Sequence, residues 1–490
     1  MDKFNIPKEV THVTEKLEKA GFEAFLVGGC VRDLILNKTP KDWDVTTNAK
    51  PEEIITLFDK TFYENDFGTV GVVNESVEDE SLKIIEVTPY RLESTYSDNR
   101  HPDKVTFSQK LEDDLKRRDF TINAMAYSVS DRKIVDLYDG QKDIKDKIIR
   151  TVGNPTDRFG EDGLRILRAV RFKSELGFEI DPDTEKAILE NGHILKNISG
   201  ERVRDEFTKI IMSDNPMEGL LAMKKLGLLA YTIPELEKTI GVEQNKAHAY
   251  DVWEHILRAL QYSADKKYPL DIRLSALFHD ISKPESRRWA GGEQNIWTFY
   301  GHEVIGAPVT RKILADLKYP AKLIDKVETL VRWHMFFSDT EQISLSAVRR
   351  MIANVGEENI WDLMNLRECD RIGTGRPKAN PYRLRKYHAM VEEALRDPIS
   401  VGMLKIDGKK IMDVTRITPG PKIGFTLHAL LDEVLEDPKK NTEKYLENRS
   451  KELMELPESE LKALGEKGKT TKEQVDDKEI EKIRSKHWVK

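Results

Sequence analysis

A chain of 490 residues is long enough for roughly three or four domains, and its 34% charged and 39% apolar residues suit a water-soluble globular protein. The net charge of −7 confines any nucleic-acid site to a local basic patch. Two cysteines, Cys30 and Cys369, exclude a disulfide-stapled scaffold and fit a reducing compartment, and no stretch is long and apolar enough to span a membrane.

The N-terminal stretch "MDKFNIPKEVTHVTEKLEKAGF" lacks an apolar run of the signal-peptide kind, so a cytoplasmic chain is expected. Within it, "EVTHVTEKLEKAG" reads as an amphipathic helix ending at Gly21. "EAFLVGG" reads as a short buried strand stopped by Gly28 and Gly29. "VRDLILNKTPKD" has helical spacing and ends in a turn; "DWDVTT", "GTVGVV" and "LKIIEVTPYR" read as three more strands. "YRLESTYSDNRHPDKVTF", Tyr90 to Phe107, is polar and aperiodic and reads as a mobile loop. From about Asp143 helical patterns dominate, beginning with "EDGLRILRAVRFKSELG", "ERVRDEFTKIIM" and "GLLAMKKLGLL". The last ~40 residues are charged and poor in aromatics, the composition of a solvated helix or mobile tail. The expected fold class is a mixed α/β head followed by an all-α body, with no fixed-period repeat.

Side chains two apart on a strand share a face, so Asp42 and Asp44 are expected to present two carboxylates side by side. Adjacent anions repel unless a cation joins them, and hard oxygen ligands suit Mg²⁺, which keeps substrate phosphates in its shell. Gly28 and Gly29 allow backbone N–H groups to approach a phosphate, with Arg32 as a charged clamp. Together these features describe metal-assisted nucleotidyl transfer. A D-x-D pair alone is common on surfaces; the GG-x-x-R-D prefix is what makes this one specific. A third carboxylate is expected on a neighbouring strand, and Glu86 is the candidate, with a plain strand-surface glutamate as the alternative.

Further along, "ALFHDISKP" carries the pair His279–Asp280, and His255, His302, His334 and Asp370 stand in helical or helix-end contexts. Imidazole and carboxylate together bind transition metals such as Mn, Fe, Ni or Zn; the alternative is a set of hydrogen-bonded core histidines. "RIGTGRPKANPYRLRK" holds six basic residues and no acid: Arg371, Arg376, Lys378, Arg383, Arg385 and Lys386. Such a segment is a natural phosphate contact, or else a solubilising linker.

Three motifs in order, "LVGGCVRDLIL…KDWDVTT", "LKRRDFTINAMAY" and "VGNPTDRFGEDGLRILRAVRF", closely resemble the class II tRNA nucleotidyltransferases. These are the CCA-adding enzymes and bacterial poly(A) polymerases of the DNA polymerase beta superfamily. The resemblance implies a nucleotidyltransferase head at 1–142, a base-recognising neck at 143–240, an HD body at 241–375, a tRNA-binding tail at 376–445 and a charged extension at 446–490. It implies template-independent transfer of CMP and AMP from CTP and ATP to the tRNA acceptor end. Asp42 and Asp44 are then the catalytic Mg²⁺ ligands, and Gly28, Gly29 and Arg32 the phosphate-side elements. Arg118, Asp119 and Asn123 match the motif that reads ribose and triphosphate, although "RRDF" by itself is a plain charged helix start. Glu161, Asp162 and Arg165 match the amino-acid template for the incoming base, and Arg168 joins the nucleotide-binding set. On a helix Asp162 and Arg165 would share a face; by residues alone a surface ion pair is the readier account.

The order H…HD…D resembles the HD-domain metal phosphohydrolases, and His302 and His334 match versions holding more than one ion. That resemblance implies phosphatase or 2′,3′-cyclic phosphodiesterase activity in tRNA end repair, with Ni²⁺, Mn²⁺, Fe, Zn²⁺ or Mg²⁺. The loop Tyr90–Phe107 resembles the one the family needs to add A, and Leu404–Leu435 resembles its C-terminal tRNA-binding segment. An A-adding enzyme or poly(A) polymerase is the nearest alternative. An HD hydrolase with an RNA-binding head and a non-catalytic scaffold are further ones, and the intact head motifs argue against both.

Overall fold

The computed structural model describes residues 4–63, 68–93, 105–245, 248–290, 297–336, 343–395 and 401–465. Most of the expected mobile loop, 94–104, and the extension from 466 on lie outside the described residues. The chain divides into two compact units, Met1–Pro234 and Glu235–Lys490.

The first unit is built on a seven-stranded mixed sheet. After α1 (Lys8–Lys19), with Val10, Val13 and Leu17 buried, the chain enters β1 (Ala24–Val27). Gly28, at φ +81°, turns it into α2 (Gly29–Ile35). There follow β2 (Asp44–Thr47), β3 (Thr61–Tyr63), β4 (Val70–Val73), β5 (Ile84–Pro89), β6 (Arg91–Glu93) and β7 (Val105–Phe107). After α3 (Leu111–Lys116) come β8 (Met125–Ser128) and β9 (Lys133–Asp136). The sheet order is β3-β4-β5-β2-β1-β8-β9, while β6 and β7 pair with each other. Only β2 and β5 run parallel within it, in a register that sets Asp44 beside Glu86.

The four strands expected in the head are present, with one adjustment. β2 begins at Asp44, so Asp42 lies in the exposed bend before it, while Trp43 between them is 2% exposed. Strands β8 and β9 carried no readable signal: all four residues of β8 are buried, so polar and apolar positions do not alternate.

Helix α4 (Gly140–Asp146) crosses the expected head–neck boundary at 142/143. Beyond it β10 (Ile148–Ile149) pairs in parallel with β11 (Glu179–Ile180), so head and neck residues share one unit. The first unit continues with α5 (Pro155–Glu161), α6 (Leu164–Leu176) and α7 (Gly200–Met212). Phe172 of α6 meets Phe120 edge to face at 5.6 Å.

The second unit is helical: α8 (Val252–Asp265), α9 (Leu270–Phe278), α10 (His302–Asp316), α11 (Ala321–Trp333), α12 (Ile360–Gly373) and α13 (Tyr382–Ala394). Ile272, Leu330, Ile352, Leu363, Leu366 and Tyr387 fill one core. A smaller core joins α14 (Gly408–Thr415), α15 (Pro421–Glu436) and α16 (Glu443–Glu455). Helix α16 crosses the expected boundary at 445/446, and Leu446, Leu453 and Leu461 are buried. The segment 446–465 is therefore packed rather than solvated, because its few leucines recur at helical spacing and find an apolar partner.

Candidate active and metal sites

At the head site, a methyl group on Gly28 would lie 3.0 Å from Nη1 of Arg118 and 3.5 Å from Oδ2 of Asp44. The absent side chain is what lets this arginine approach the strand-to-helix turn, a position whose positive φ already favours glycine. Asp42 is exposed, and Asp44 and Glu86 are half-buried. Parallel register places Glu86 on the same sheet face as Asp44. These three carboxylates are not drawn into one tight cluster of the kind found in the second unit.

The "RRDFTIN" stretch is not a helix start. Arg117 follows the end of α3, and Thr121–Asn123 form a single 3₁₀ turn leading into β8. Buried Asp114 holds both arginines, accepting from Arg117 Nη2 at 2.6 Å and from Arg118 Nη2 at 3.0 Å. Asp119 accepts from Arg168 Nε at 2.7 Å and from the Phe120 N–H at 2.8 Å. Burial raises the Asp119 pKa, but the Arg168 and Arg165 guanidinium groups outweigh it and hold the carboxyl down at about 2. Asn123 accepts from Arg32 Nη1 at 2.9 Å, so Arg32, Asn123, Asp119 and Arg168 lie in one neighbourhood.

Asp162 and Arg165 do not share a helical face. Helix α5 stops at Glu161, Asp162 is extended at φ −140° and ψ 106°, and α6 starts at Leu164. The break has two local causes. Asp162 Oδ1 accepts from the Leu164 N–H at 3.0 Å, and Gly163 packs so closely that a methyl there would lie 2.6 Å from Ile194. Arg165, 8% exposed, instead donates to Glu161 at 2.6 Å and to the Arg117 carbonyl at 3.1 Å. Asp162 pairs with Arg202 of α7 at 2.8 Å. Arg202 was not foreseen, nor was the buried pair Arg171–Glu206 at 2.9 Å. The signal was "GERVRDEF", which reads as an ordinary amphipathic helix unless its partners are known.

The second unit gathers the expected body ligands. His255 lies on α8, His279 and Asp280 follow α9, His302 opens α10, His334 closes α11, and Asp370 lies on α12. All six are buried. His255 Nε2 stands 2.9 Å from His279 Nε2, 2.9 Å from Asp280 Oδ2 and 3.4 Å from Asp370 Oδ1. On the other side of the same carboxylate, Asp280 Oδ1 lies 3.0 Å from His302 Nε2 and 3.6 Å from His334 Nε2. Those two nitrogens are 3.2 Å apart. Asp280 thus bridges two half-sites.

One backbone device orients three of the imidazoles. Nδ1 of His279, His302 and His334 donates to the carbonyl three residues earlier, that of Ala276, Phe299 and Val331, at 2.9, 2.7 and 2.7 Å. That fixes each Nε2 as the lone-pair donor, the arrangement metal-ligating histidines use. Two such nitrogens pointing at each other across about 3 Å repel without a cation between them. Asp280 Oδ2 is buried and makes no well-aligned hydrogen bond, although Lys283 Nζ lies 2.6 Å away. The donor set fits a divalent metal. Burial pushes His334 down to about 4, so its imidazole is neutral and able to ligate at ordinary pH. Burial also opposes ionisation of Asp280, but the positive charges beside it, His279 when protonated and Lys283, hold its carboxyl well below the usual range. Lys283 and Arg367, which pairs with Asp370 at 2.6 Å, are further site residues. Lys283 was visible only as part of "HDISKP".

Arg371 is half-buried just after Asp370 and donates to the Lys378 carbonyl at 2.6 Å. Arg376, Lys378, Arg383, Arg385 and Lys386 are exposed. No helix among the described residues is long and apolar enough to cross a membrane.

Three family models match: "Poly A polymerase head domain" over residues 24–150, "Probable RNA and SrmB- binding site of polymerase A" over 177–240, and "HD domain" over 252–360. The CCA-adding enzyme of Pediococcus pentosaceus is 34% identical over 438 residues, 88% of this chain and 93% of that protein. The CCA-adding enzyme of Ligilactobacillus salivarius is 48% identical over 221 residues, a match spanning 44% of this chain and about half, 53%, of that one. Among solved structures, the CCA-adding enzyme of Bacillus stearothermophilus in complex with CTP superposes with a TM-score of 0.69 at 27% identity, covering 91% of this chain and 98% of that one.

Proposed function

The chain belongs to the CCA-adding enzyme family, and from that premise we propose that it adds C, C and A to the 3′ end of tRNA from CTP and ATP without a nucleic-acid template. The observation that carries this reading is the convergence at the Gly28 turn: Asp44 and Arg118 flank it, and Glu86 stands beside Asp44 on the next strand. Asp42, Asp44 and Glu86 would hold Mg²⁺, which when bound neutralises triphosphate charge and activates the attacking hydroxyl. Arg118 and Arg32 would receive the triphosphate as charged donors. Asp119, ionised and oriented by Arg168, can accept from a ribose 2′-OH, which favours ribonucleotides.

Asp162 and Arg165 would read the base edge, one as acceptor and one as donor. Each is braced from outside, Asp162 by Arg202 and Arg165 by Glu161 and the Arg117 carbonyl. Braced groups impose a fixed hydrogen-bond pattern, and a base that mismatches leaves a buried polar group unpaired. The basic stretch Arg371–Lys386 and the tail supply phosphate contacts that sense shape rather than sequence, as a substrate set of all tRNAs requires. A cytoplasmic location accords with such substrates.

In the second unit, His255, His279, Asp280 and Asp370 would hold one divalent ion and Asp280, His302 and His334 another, of Ni²⁺, Mn²⁺, Fe, Zn²⁺ or Mg²⁺. When bound, such ions supply hydroxide for phosphoester hydrolysis. The activity proposed there is removal of a phosphate or 2′,3′-cyclic phosphate from an RNA end before nucleotide addition.

The experiment supplies tRNA ending at the discriminator base with Mg²⁺ and labelled nucleotides singly and together. The reading expects CMP addition from CTP alone, and termination after C-C-A when ATP is present. Addition of A alone, or a long A tail, contradicts it.

A further inference from the structure

Between Lys283 and His302 the second unit carries a two-stranded hairpin, β12 (Arg288–Trp289) and β13 (Trp297–Thr298), with Trp289 and Trp297 directly opposite each other. Their rings pack edge to face at 4.6 Å. The Arg287 guanidinium lies over the Trp297 ring at 3.7 Å. Trp289 is 51% exposed, and Arg288 beside it is exposed as well. A half-exposed indole backed by a second indole, itself capped by Arg287, is costly surface with no structural use beyond stapling a short hairpin.

Both ends of the hairpin are tied to the metal-site residues. On the entering side, Lys283 pairs with Asp280 at 2.6 Å, and the short helix Lys283–Ser286 leads straight to Arg287. On the leaving side, Thr298 bonds back to the Arg288 carbonyl at 3.2 Å, and the Phe299 carbonyl accepts from His302 Nδ1 at 2.7 Å. Lys283 Nζ also stands 5.7 Å from the Phe299 ring centre. Even fully extended, the chain from Trp297 to His302 spans at most roughly 18 Å, and it turns at Gly301 (φ +76°).

We propose that this hairpin is a base-stacking platform that delivers the single-stranded 3′ end of an RNA to the histidine–aspartate centre, with Trp289 under a base and Arg287 beside a backbone phosphate. Aromatic rings interleaved with cations are the sequence-tolerant way to hold a single strand, since every base has a π-face. Such a platform would make the hydrolytic site an RNA-end site rather than one for small phosphate esters. The inference rests on the reading of the second unit as a hydrolytic centre.

The test compares the full-length protein with Trp289→Ala and Trp289→Phe on two substrates: an RNA trinucleotide ending in a 2′,3′-cyclic phosphate, and glycerol 1,2-cyclic phosphate, which has no base. Trp289→Ala should raise KM for the trinucleotide about ten-fold and leave kcat, and all hydrolysis of the glycerol ester, unchanged. Trp289→Phe should recover most of the loss. Equal loss on both substrates, as a melted hairpin would give, or no change on either overturns the proposal. If the unsubstituted protein hydrolyses neither substrate with Ni²⁺, Mn²⁺ or Mg²⁺, the hydrolytic reading falls alone. Binding of the labelled trinucleotide by fluorescence anisotropy then decides: about ten-fold weaker binding by Trp289→Ala supports the platform, and equal binding overturns it.

Discussion

The nucleotidyltransferase-type site of the first unit and the histidine–aspartate cluster of the second place their charged side chains in opposite ways. In the first unit the carboxylates Asp42, Asp44 and Glu86 are exposed or half-buried at a sheet, and the precise placement is invested in arginines: Arg117 and Arg118 on Asp114, Arg168 on Asp119, Arg202 on Asp162. In the body five buried side chains from five helices and their ends close around one bridging carboxylate, that of Asp280, with three imidazoles locked by backbone carbonyls. An open site suits a substrate that brings phosphates and metal with it. A closed cage suits ions that stay, and it couples ligand geometry to helix packing.

The comparison breaks most sharply at Asp44. Asp44→Ala should lower CMP and AMP incorporation by about a thousand-fold or more, with tRNA binding and body hydrolysis retained. Near-normal incorporation would remove the metal role from that strand.

Gly373 probes the other side. A methyl there would lie 2.6 Å from the His255 carbonyl oxygen and 2.9 Å from its Nδ1. Gly373→Ala should therefore cost about 1–3 kcal/mol of stability and strongly reduce metal-dependent hydrolysis while nucleotide addition survives at temperatures below unfolding. Thermal unfolding with both assays checks this; unaltered hydrolysis would mean that helix spacing does not set the cage.

A smaller effect is expected at Arg202. Arg202→Ala leaves the Asp162 carboxylate without its brace, and discrimination between CTP and UTP should fall roughly ten-fold with the rate of CMP addition less affected. Unchanged discrimination in single-turnover competition would detach Arg202 from base reading.

The smallest concerns pH. Asp119 is held down at about 2 in the folded chain, below its ordinary value of 3.8. Its contribution, about 2 kcal/mol, is fully present above pH 4 and is lost as pH falls toward 2. Asp119→Asn should thus narrow its stability gap from the unsubstituted protein over that acid window in denaturant titrations. A gap that stays constant there would show that Arg168 does not stabilise the charged form.

Much of this was legible because the chemistry sits in short local motifs. Gly28, Arg32, Asp42 and Asp44 occupy one strand–turn–helix stretch, and the body histidines announce themselves through "HD" and helical context. What escaped depends on contacts distant in sequence. That Asp162 faces Arg202 rather than Arg165 follows from a helix break caused partly by Ile194 packing on Gly163. Strand β8 was hidden because it is buried on both faces, and α16 because an apolar partner, rather than its composition, decides that a charged helix packs.

The central claim is that one chain carries two chemically independent sites. It is tested most directly by a paired assay on the double substitution His279→Ala, Asp280→Ala. CMP and AMP incorporation and opening of a 2′,3′-cyclic RNA end are measured on the same preparation with Ni²⁺, Mn²⁺ and Mg²⁺. The account predicts that hydrolysis disappears while nucleotide addition stays within about two- to three-fold of the unsubstituted protein. Loss of both activities in a folded protein, or persistence of hydrolysis without the bridging aspartate, would contradict it.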